Sequence, residues 1–174
     1  MDDSSFPVLK ATMADVPALA AFASGAFREA YDGLMPAGDI EAYCQTAFDP
    51  DKIRDDLRQP HTVFHLLKQG NEIAGYTKLR SDRPRPDLQE WMAIELERIY
   101  VGGGNYRKGL GTVLFNHAMD YSRRLGYRML WLAVWQKNER ALSFYKKSGM
   151  ELFGEQSFTV GSVTNEDFVL RISL

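Results

Sequence analysis

Apolar residues recur along this chain with two spacings, and these predict alternating helices and strands. One helix is predicted after Thr12, which suits an N-cap and has Asp15 three residues later. Two shorter helices are predicted over residues 40–48 and from Pro50 to the region of Pro60. A second long helix begins near Gly109 and stops at Gly126. The apolar positions that predict the two long helices are Val16, Leu19, Ala20, Ala23, Phe27 and Ala30 in the first, and Leu110, Val113, Leu114, Ala118, Tyr121 and Leu125 in the second.

Strands are predicted where short apolar or alternating runs lie between turn residues. Residues 6–11 form the first, and residues 62–68 and 72–79 form a hairpin around Gly70-Asn71. Residues 93–101 follow a predicted loop over 81–91, and residues 128–135 are almost continuously apolar, as in a strand covered on both faces. Residues 150–160 and an alternating tail after Gly161-Ser162 complete the set. The pattern predicts a mixed α/β sheet of six or seven strands with helices on both faces.

Size and composition predict a single domain over residues 1–174. The chain has 174 residues, 45% of them hydrophobic, which suits one domain with a sizeable core. Its one cysteine, Cys44, cannot form an internal disulfide and is expected to be a small buried side chain. The polar start of the chain resembles neither a signal peptide nor a membrane span. We therefore expect a cytoplasmic protein without a membrane partner.

The net charge of −2 conceals an uneven distribution. Residues 98–147 hold ten Lys and Arg against Asp120 and Glu139, a net charge of +8, and residues 29–56 hold eight acids against Lys52 and Arg54, a net charge of −6. A basic half for a phosphorylated cofactor and an acidic half for a cationic acceptor would produce this contrast. Ordinary solvated helix faces would produce it equally well. A nucleic-acid partner is not expected, because the pI is about 5.9.

A glycine-rich segment between a strand and a helix is the first chemical signal. Gly109 and Gly111 follow a run of three glycines over 102–104, and Arg107 and Lys108 add positive charge beside them. A loop that opens a helix aims unpaired backbone N–H groups at an anion, and glycine lets the anion approach. The spacings of a P-loop nucleoside triphosphatase and of a dinucleotide-binding loop are both absent.

Two motifs in this region resemble those of the GNAT superfamily of N-acetyltransferases. Residues 106–111, YRKGLG, resemble the family's [QR]-x-x-G-x-[GA] signature. Residues 138–149, NERALSFYKKSG, resemble its second signature, N-x-x-A-x-x-F-Y-x-x-x-G. Tyr106 departs from the pattern because the family usually has Gln or Arg there. Residues 95–100, 131–135 and 157–161 narrow the resemblance to the PaiA-type polyamine acetyltransferases of bacteria.

The resemblance implies a fold and a donor. The fold is a GNAT-like, mostly antiparallel sheet whose central parallel strands, 93–101 and 128–135, splay apart to admit the pantetheine arm of acetyl-coenzyme A. No metal is implied. Many relatives dimerise, so a homodimer is compatible with the resemblance. The residues that it assigns to the coenzyme are Ile99, Tyr100, Val101, Tyr106, Arg107, Lys108, Gly109, Leu110, Gly111, Thr112, Asn138, Ala141, Phe144, Tyr145 and Lys147.

Acetyl transfer to an amine requires a base for the amine proton and an acid for the departing thiolate. An amine with a pKa near ~10 is neutral in only about one molecule in a thousand at pH 7, a cost of roughly 4 kcal/mol. The resemblance offers Glu95 and Glu97 as bases, with a slight preference for Glu97, and Tyr145 as the acid. The two glutamates share a face in a regular strand, and a bulge would change that. Either could instead pair with Arg98 or Lys78.

Two functions are compatible with these residues. The favoured one is an acetyl-CoA-dependent N-acetyltransferase for a small cationic amine, with polyamines first and an aminoglycoside, amino acid or protein N-terminus as alternatives. The other is a non-catalytic module that senses acetyl-CoA. His61 and His65 have no acid or cysteine cluster at metal-ligand spacing, so no metal site is predicted. Tyr31, Tyr43 and Phe48 are expected to be core residues, with a substrate-facing wall as the alternative.

Overall fold

The fold is known from a computed structural model that describes residues 6–105 and 108–174. None of the helices in those ranges is long and apolar enough to cross a membrane. The strands are β1 (Val8–Lys10), β2 (Thr62–Gln69), β3 (Glu72–Arg80), β4 (Ala93–Val101), β5 (Met129–Trp135), β6 (Glu151–Val160) and β7 (Val163–Ser173). The α-helices are α1 (Val16–Tyr31), α2 (Ala37–Ala47), α3 (Pro50–Arg58), α4 (Leu110–Arg124) and α5 (Glu139–Lys147).

The seven strands form one mixed sheet in the order β1-β2-β3-β4-β5-β7-β6. All neighbouring strands are antiparallel except β4 and β5, which are parallel and lie at the centre. This arrangement confirms the predicted mixed, mostly antiparallel sheet and its central parallel pair. The hairpin at Gly70-Asn71 is confirmed too, because β2 and β3 pair up to Gln69 and Glu72.

The two faces of the sheet carry different helices and separate cores. Helices α1, α2 and α3 cover the first face, which we call the α1 face, and their core includes Leu19, Phe27, Ile53 and Tyr76. Helices α4 and α5 cover the second, the α4 face. Its largest core cluster includes the buried side chains Val63, Leu79, Ile94, Leu96, Phe115, Leu130, Leu132, Val134, Tyr145 and Leu170. Side chains of β4 and β5 therefore alternate between two environments, as the strand period requires.

Local signals set the helix ends close to their predicted positions. Thr12 and Asp15 form a capping box around a short 3₁₀ helix over Met13–Asp15, after which α1 begins at Val16. Asp49 accepts hydrogen bonds from two backbone N–H groups at the start of α3. The buried Cys44 also agrees with expectation.

The predicted loop over 81–91 is partly helical. Residues Pro86–Trp91 form a 3₁₀ helix. It buries Leu88 completely, in a cluster with Trp131 and Val169 at the edge of the α1 face. The prolines of this segment predict a turn, but they do not predict the apolar contact of Leu88 that orders it.

Gly75 marks a close approach between β3, β4 and α4. A Cβ atom there would lie 2.8 Å from Leu114 Cδ1 and 2.8 Å from the Tyr100 carbonyl oxygen. Both distances are shorter than side chains tolerate, and a backbone oxygen cannot move aside cheaply.

Gly75→Ala should therefore lower the free energy of unfolding by about 1–3 kcal/mol, measured by urea denaturation. Gly25→Ala in α1 is the matched control. No atom lies within 4 Å of a Cβ there, so that variant should gain about 0.4–1 kcal/mol. Equal stability of the two variants would contradict the close packing at Gly75.

Candidate active site

The central strands of the sheet part soon after they meet. β4 and β5 pair only where Ala93–Glu95 lies beside Met129–Trp131. Beyond that point β4 stays paired with β3 up to Val101, and β5 stays paired with β7 up to Trp135. Each strand therefore has a stretch of edge without a partner, and the two edges enclose a wedge that opens toward Val101 and Trp135.

A β-bulge lies at the start of the wedge. Lys78 pairs with Arg98 and Leu79 with Leu96, so Glu97 is the extra residue of β4. A bulge bends its strand and increases the local twist, which carries β4 away from β5. It also turns Glu97 and Arg98 toward the same α1 face, because Leu96 and Ile99 on either side both pack on the α4 face.

The start of α4 presents backbone N–H groups with no side-chain cap. Gly109 is the N-cap residue in the left-handed conformation, with φ of 76°, and among residues 6–105 and 108–174 no side chain hydrogen-bonds to this helix end. The amides of Leu110, Gly111 and Thr112 form the first turn, where an anion would be stabilised. Lys108 precedes them and donates a 3.0 Å hydrogen bond to Asn105. Tyr106 and Arg107 lie outside the described residues.

Helix α5 lies beside this first turn of α4. Asn138 caps it, accepting a 3.1 Å hydrogen bond from the backbone N–H of Ala141. The ring of Phe144 lies 3.5 Å from the position of a Cβ on Gly111, which brings α5 against the first turn of α4. Lys147 follows Phe144 by one turn and is exposed. The two motif segments, which are separate in sequence, thus meet in space.

Glu97 belongs to a buried ion network on the α1 face. Its carboxylate lies 2.8 Å from Lys78 Nζ and 3.2 Å from an Arg80 nitrogen. Lys78 is 1% exposed and also bonds Asp56 of α3 at 2.8 Å. Burial by itself would raise the pKa of Glu97, but the charges of Lys78, Arg98 and Arg80 outweigh it and lower the pKa. Glu97 therefore stays ionised and shared between cations, the pairing with Lys78 that the sequence left open.

Glu95 has a different environment, although it lies only two residues away. No hydrogen bond or ion pair reaches its side chain from the described residues. Burial, together with the charge of Glu97, raises the pKa of Glu95 from 4.5 to about 7. Its neighbour on β5 is Trp131, the last residue before the strands part. A carboxyl group with a pKa near neutrality at the closed end of a wedge suits a general base.

Tyr145 approaches the wedge from the α4 face. It is buried among aromatic rings, 5.3 Å from Phe144 and 6.3 Å from Phe115 between centroids. Burial, and then its interaction with Tyr31, raises the pKa of Tyr145 well above 10, so the phenol keeps its proton. Tyr31 belongs to α1 on the other face.

Aromatic rings line the α1 face beside the wedge. Tyr31 stands between Phe27, at 4.5 Å, and Trp135 of β5, at 6.0 Å, and Tyr43 stacks on Phe27 at 4.5 Å. Phe48 packs beneath Arg98, 4.6 Å from its guanidinium carbon. These rings are largely core, as expected, but Tyr31 and Trp135 also border the open end of the wedge.

A cavity of about 330 Å³ lies where the C-terminal end of α1 faces the start of α5. Asn138 and Glu139 line one side, and Glu29, Ala30 and Leu34 line the other. Its lining thus includes Asn138, the cap residue of α5.

The acidic stretch 29–56 has mostly structural duties. Its carboxylates mostly bond to neighbouring helices, turns and strands of the same chain. The contacts are Glu29 with the Gly103 N–H, Asp39 with Ser162, Glu41 with Arg28, Asp49 with the start of α3, Asp51 with Arg54, Asp55 with Arg58, and Asp56 with Lys78.

A carboxylate that the sequence analysis missed lies at the open end of the wedge. Asp167 pairs with Trp135 in the β5–β7 ladder and is 7% exposed. Burial, and then the charge of Asp167, raises the pKa of Tyr31. Burial, with the nearby charge of Glu166, raises the pKa of Asp167 to about 6. The sequence offered one signal for this residue: Asp167 is a charged residue at an inward-facing position of β7, where side chains alternate between the two faces.

Within residues 6–105 and 108–174, no three His, Cys, Asp or Glu side chains are placed to hold a metal ion. His65 packs against His117 and Tyr121 with ring centroids 4.5 Å apart. Burial lowers the pKa of His65 to about 4, so it stays neutral as a core residue. The candidate site thus combines the uncapped first turn of α4, the protonated phenol of Tyr145 and the carboxyl group of Glu95, whose pKa is near 7, around one wedge.

Comparison with known proteins assigns this arrangement to a family. The family model for the acetyltransferase (GNAT) family matches residues 26–150. The matched region includes the wedge strands, the first turn of α4, and α5.

Individual relatives cover between about half and nearly all of the chain. An N-acetyltransferase of Lactobacillus delbrueckii subsp. lactis is 29% identical over 167 residues, 96% of each chain. Streptothricin acetyltransferase of Streptomyces lavendulae is 32% identical over 82 residues, 47% of this chain and 43% of its own. The PaiA N-acetyltransferase of Thermoplasma acidophilum, solved in complex with coenzyme A, superposes with a TM-score of 0.82 over 98% of this chain and 99% of its own, at 20% identity.

Proposed function

The chain belongs to the GNAT family of acetyltransferases, and on that premise we propose that it transfers an acetyl group from acetyl-CoA to a primary amine of a small cationic acceptor. Polyamines are the favoured class. The observation that carries the proposal is the wedge itself, with Glu95 at its closed end and Tyr145 beside it.

The residues present fit the coenzyme. The uncapped amides of Leu110, Gly111 and Thr112 would hold a diphosphate, with Lys108 beside them. The free edge of β4 beyond Glu95 offers the backbone groups of Ile99 and Val101 to an extended amide-containing arm, as an added strand would use them. Asn138 uses its carbonyl oxygen to cap α5, which leaves its NH₂ group available for the same arm.

Glu95 suits the base better than Glu97. When bound, acetyl-CoA supplies an acetyl thioester, and the acceptor ammonium must lose a proton before its nitrogen can attack the carbonyl carbon. Glu95 would take that proton, because its pKa of about 7 leaves it half ionised near neutral pH and no described residue forms an ion pair with it. Glu97 is held by Lys78 and Arg80, and removing it would leave those buried charges unbalanced. We therefore assign Glu97 to positioning the bulge.

Tyr145 suits the acid. The leaving thiolate needs a proton, and a buried phenol with a raised pKa holds one throughout the neutral range. Its ring is fixed by Phe115 and Phe144, so the hydroxyl keeps one position without a long flexible side chain.

A cationic acceptor is supported by the chemistry of the α1 face. Carboxylates at Glu95 and Asp167 and the rings of Tyr31 and Trp135 surround the wedge on that side, and ammonium groups bind both carboxylates and aromatic faces. We place the reaction in the cytoplasm, in keeping with the buried, unpaired Cys44.

Thiol release from acetyl-CoA over a panel of amines tests the proposal. The panel holds spermidine, spermine, an aminoglycoside, streptothricin, an amino acid and a peptide with a free N-terminus. We expect the linear polyamines to give kcat/KM at least tenfold above the rest. Preference for another amine would reassign the acceptor. Tight acetyl-CoA binding with no turnover of any amine would indicate the non-catalytic sensor instead.

Glu95→Gln should lower kcat by about 10²–10⁴-fold, because it removes the base and keeps the side-chain shape. In the unmodified enzyme kcat should rise as pH increases through about 7, where Glu95 loses its proton, and this rise should vanish in the variant. The measurement is kcat from pH 5.5 to 9 with saturating acceptor. Glu97→Gln should mainly lower the melting temperature. A larger loss of kcat in Glu97→Gln than in Glu95→Gln would transfer the base role to Glu97.

Tyr145→Phe should reduce turnover by at least tenfold while acetyl-CoA affinity changes less than threefold, because it deletes a proton donor and little contact area. Turnover is read from thiol release and affinity from calorimetric titration. Turnover within twofold of the unmodified enzyme would rule out the acid role.

A further inference from the structure

Two buried polar side chains lie side by side on β7, at positions that an ordinary sheet would fill with apolar residues. Asn165 is 4% exposed and Asp167 is 7% exposed. They point to the same face as Val169, which packs against Trp131 on the α1 face. Glu166, between them, is exposed and bonds Ser157 on the other side of the strand. The chain thus places its polar groups inward at the open end of the wedge.

Neither side chain has a full set of hydrogen-bond partners in the part of the chain that the structure describes. The Nδ2 atom of Asn165 is buried without a hydrogen-bond acceptor. The carboxylate of Asp167 receives no hydrogen bond and no salt bridge from residues 6–105 or 108–174. A buried carboxylate without a partner costs several kcal/mol unless a cation is supplied. Its environment therefore favours a ligand that carries a positive charge.

Aromatic rings complete the surroundings of Asp167. Trp135 is its partner across the ladder, and the Tyr31 ring lies 6.0 Å from that of Trp135. Phe158, the partner of Asn165 on β6, contacts Tyr43 at 6.0 Å. A carboxylate bordered by tryptophan and tyrosine rings suits an ammonium group, which gains both a charge-assisted hydrogen bond and cation–π contacts.

The distance from Glu95 defines the shape of the ligand. Glu95 is level with Trp131 on β5 and Asp167 is level with Trp135, on the same face of the sheet. Four residues of strand separate these levels, which is about 13 Å. One small amino acid cannot reach both carboxylates, whereas an extended chain with an amine at each end can.

We propose that Asp167, supported by Asn165, binds the second ammonium group of the acceptor while the reacting amine lies near Glu95. Asp167 is then a specificity residue that selects elongated diamines and polyamines over monoamines. This inference rests on the proposed acetyltransfer to amines. It adds the residue that binds the end of the acceptor opposite the reacting amine.

The test compares Asp167→Asn with Glu166→Gln, a matched removal of one carboxylate from the next residue on the opposite face. Spermidine and a monoamine of similar length, n-octylamine, serve as acceptors in the thiol-release assay. In Asp167→Asn we expect KM for spermidine to rise about 10- to 100-fold, with kcat within threefold and KM for n-octylamine unchanged. Asp167→Glu should restore part of the spermidine affinity. Glu166→Gln should change neither KM.

Melting temperatures separate this role from a structural one. Asp167→Asn should be at least as stable as the unmodified protein at pH 8, because it removes a buried charge without changing the shape of the side chain. An unchanged KM for spermidine, or an equal loss for both amines, would overturn the inference while leaving the acetyltransferase proposal intact.

Absence of turnover with every amine would overturn the proposed function instead. Calorimetric titration of spermidine into the protein saturated with coenzyme A then decides the subsite. Binding that weakens at least tenfold in Asp167→Asn supports the subsite, and equal binding by both proteins, or none, overturns it.

Discussion

The site depends on one interrupted strand pairing. β4 and β5 are hydrogen-bonded over three residues and then separate, although both continue as strands. Each remains anchored by its outer neighbour, so the sheet opens at its centre without losing its integrity. A gap in the middle of a sheet would normally leave costly unpaired backbone groups. Here those groups face a wedge that suits an extended ligand, and residues from both faces of the sheet can meet across it.

The carboxylates around this wedge are distinguished by their surroundings rather than by their chemistry. Glu97 shares a buried network with Lys78 and Arg80, which keeps it ionised and ties the bulge to α3 through Asp56. Glu95 is half-buried and Asp167 is buried, and neither carboxylate forms a hydrogen bond or an ion pair with the described residues. Neighbouring groups of one type thus differ in their pKa values, because burial and opposite charges shift a pKa in opposite directions.

The aromatic residues give this arrangement its rigidity. The ring of Tyr145 packs against Phe115 and Phe144, and the ring of Tyr31 packs against Phe27 and Trp135. Rings with two rotatable bonds lose little entropy on ordering, so they fix polar groups at defined positions.

The sequence by itself determined the order and type of the elements, the loop before α4 and the α5 motif, because these depend on local periodicity, caps and glycines. It could also name Glu95, Glu97 and Tyr145 as candidates. Only the tertiary structure decided which of the glutamates is paired with cations, because Lys78 of β3 reaches both Glu97 and Asp56 of α3. It alone brought Asp167 to the wedge, since strand register places a residue from the end of the chain beside Trp135. Charge environments arise from contacts between distant segments, and spacing along one segment does not contain them.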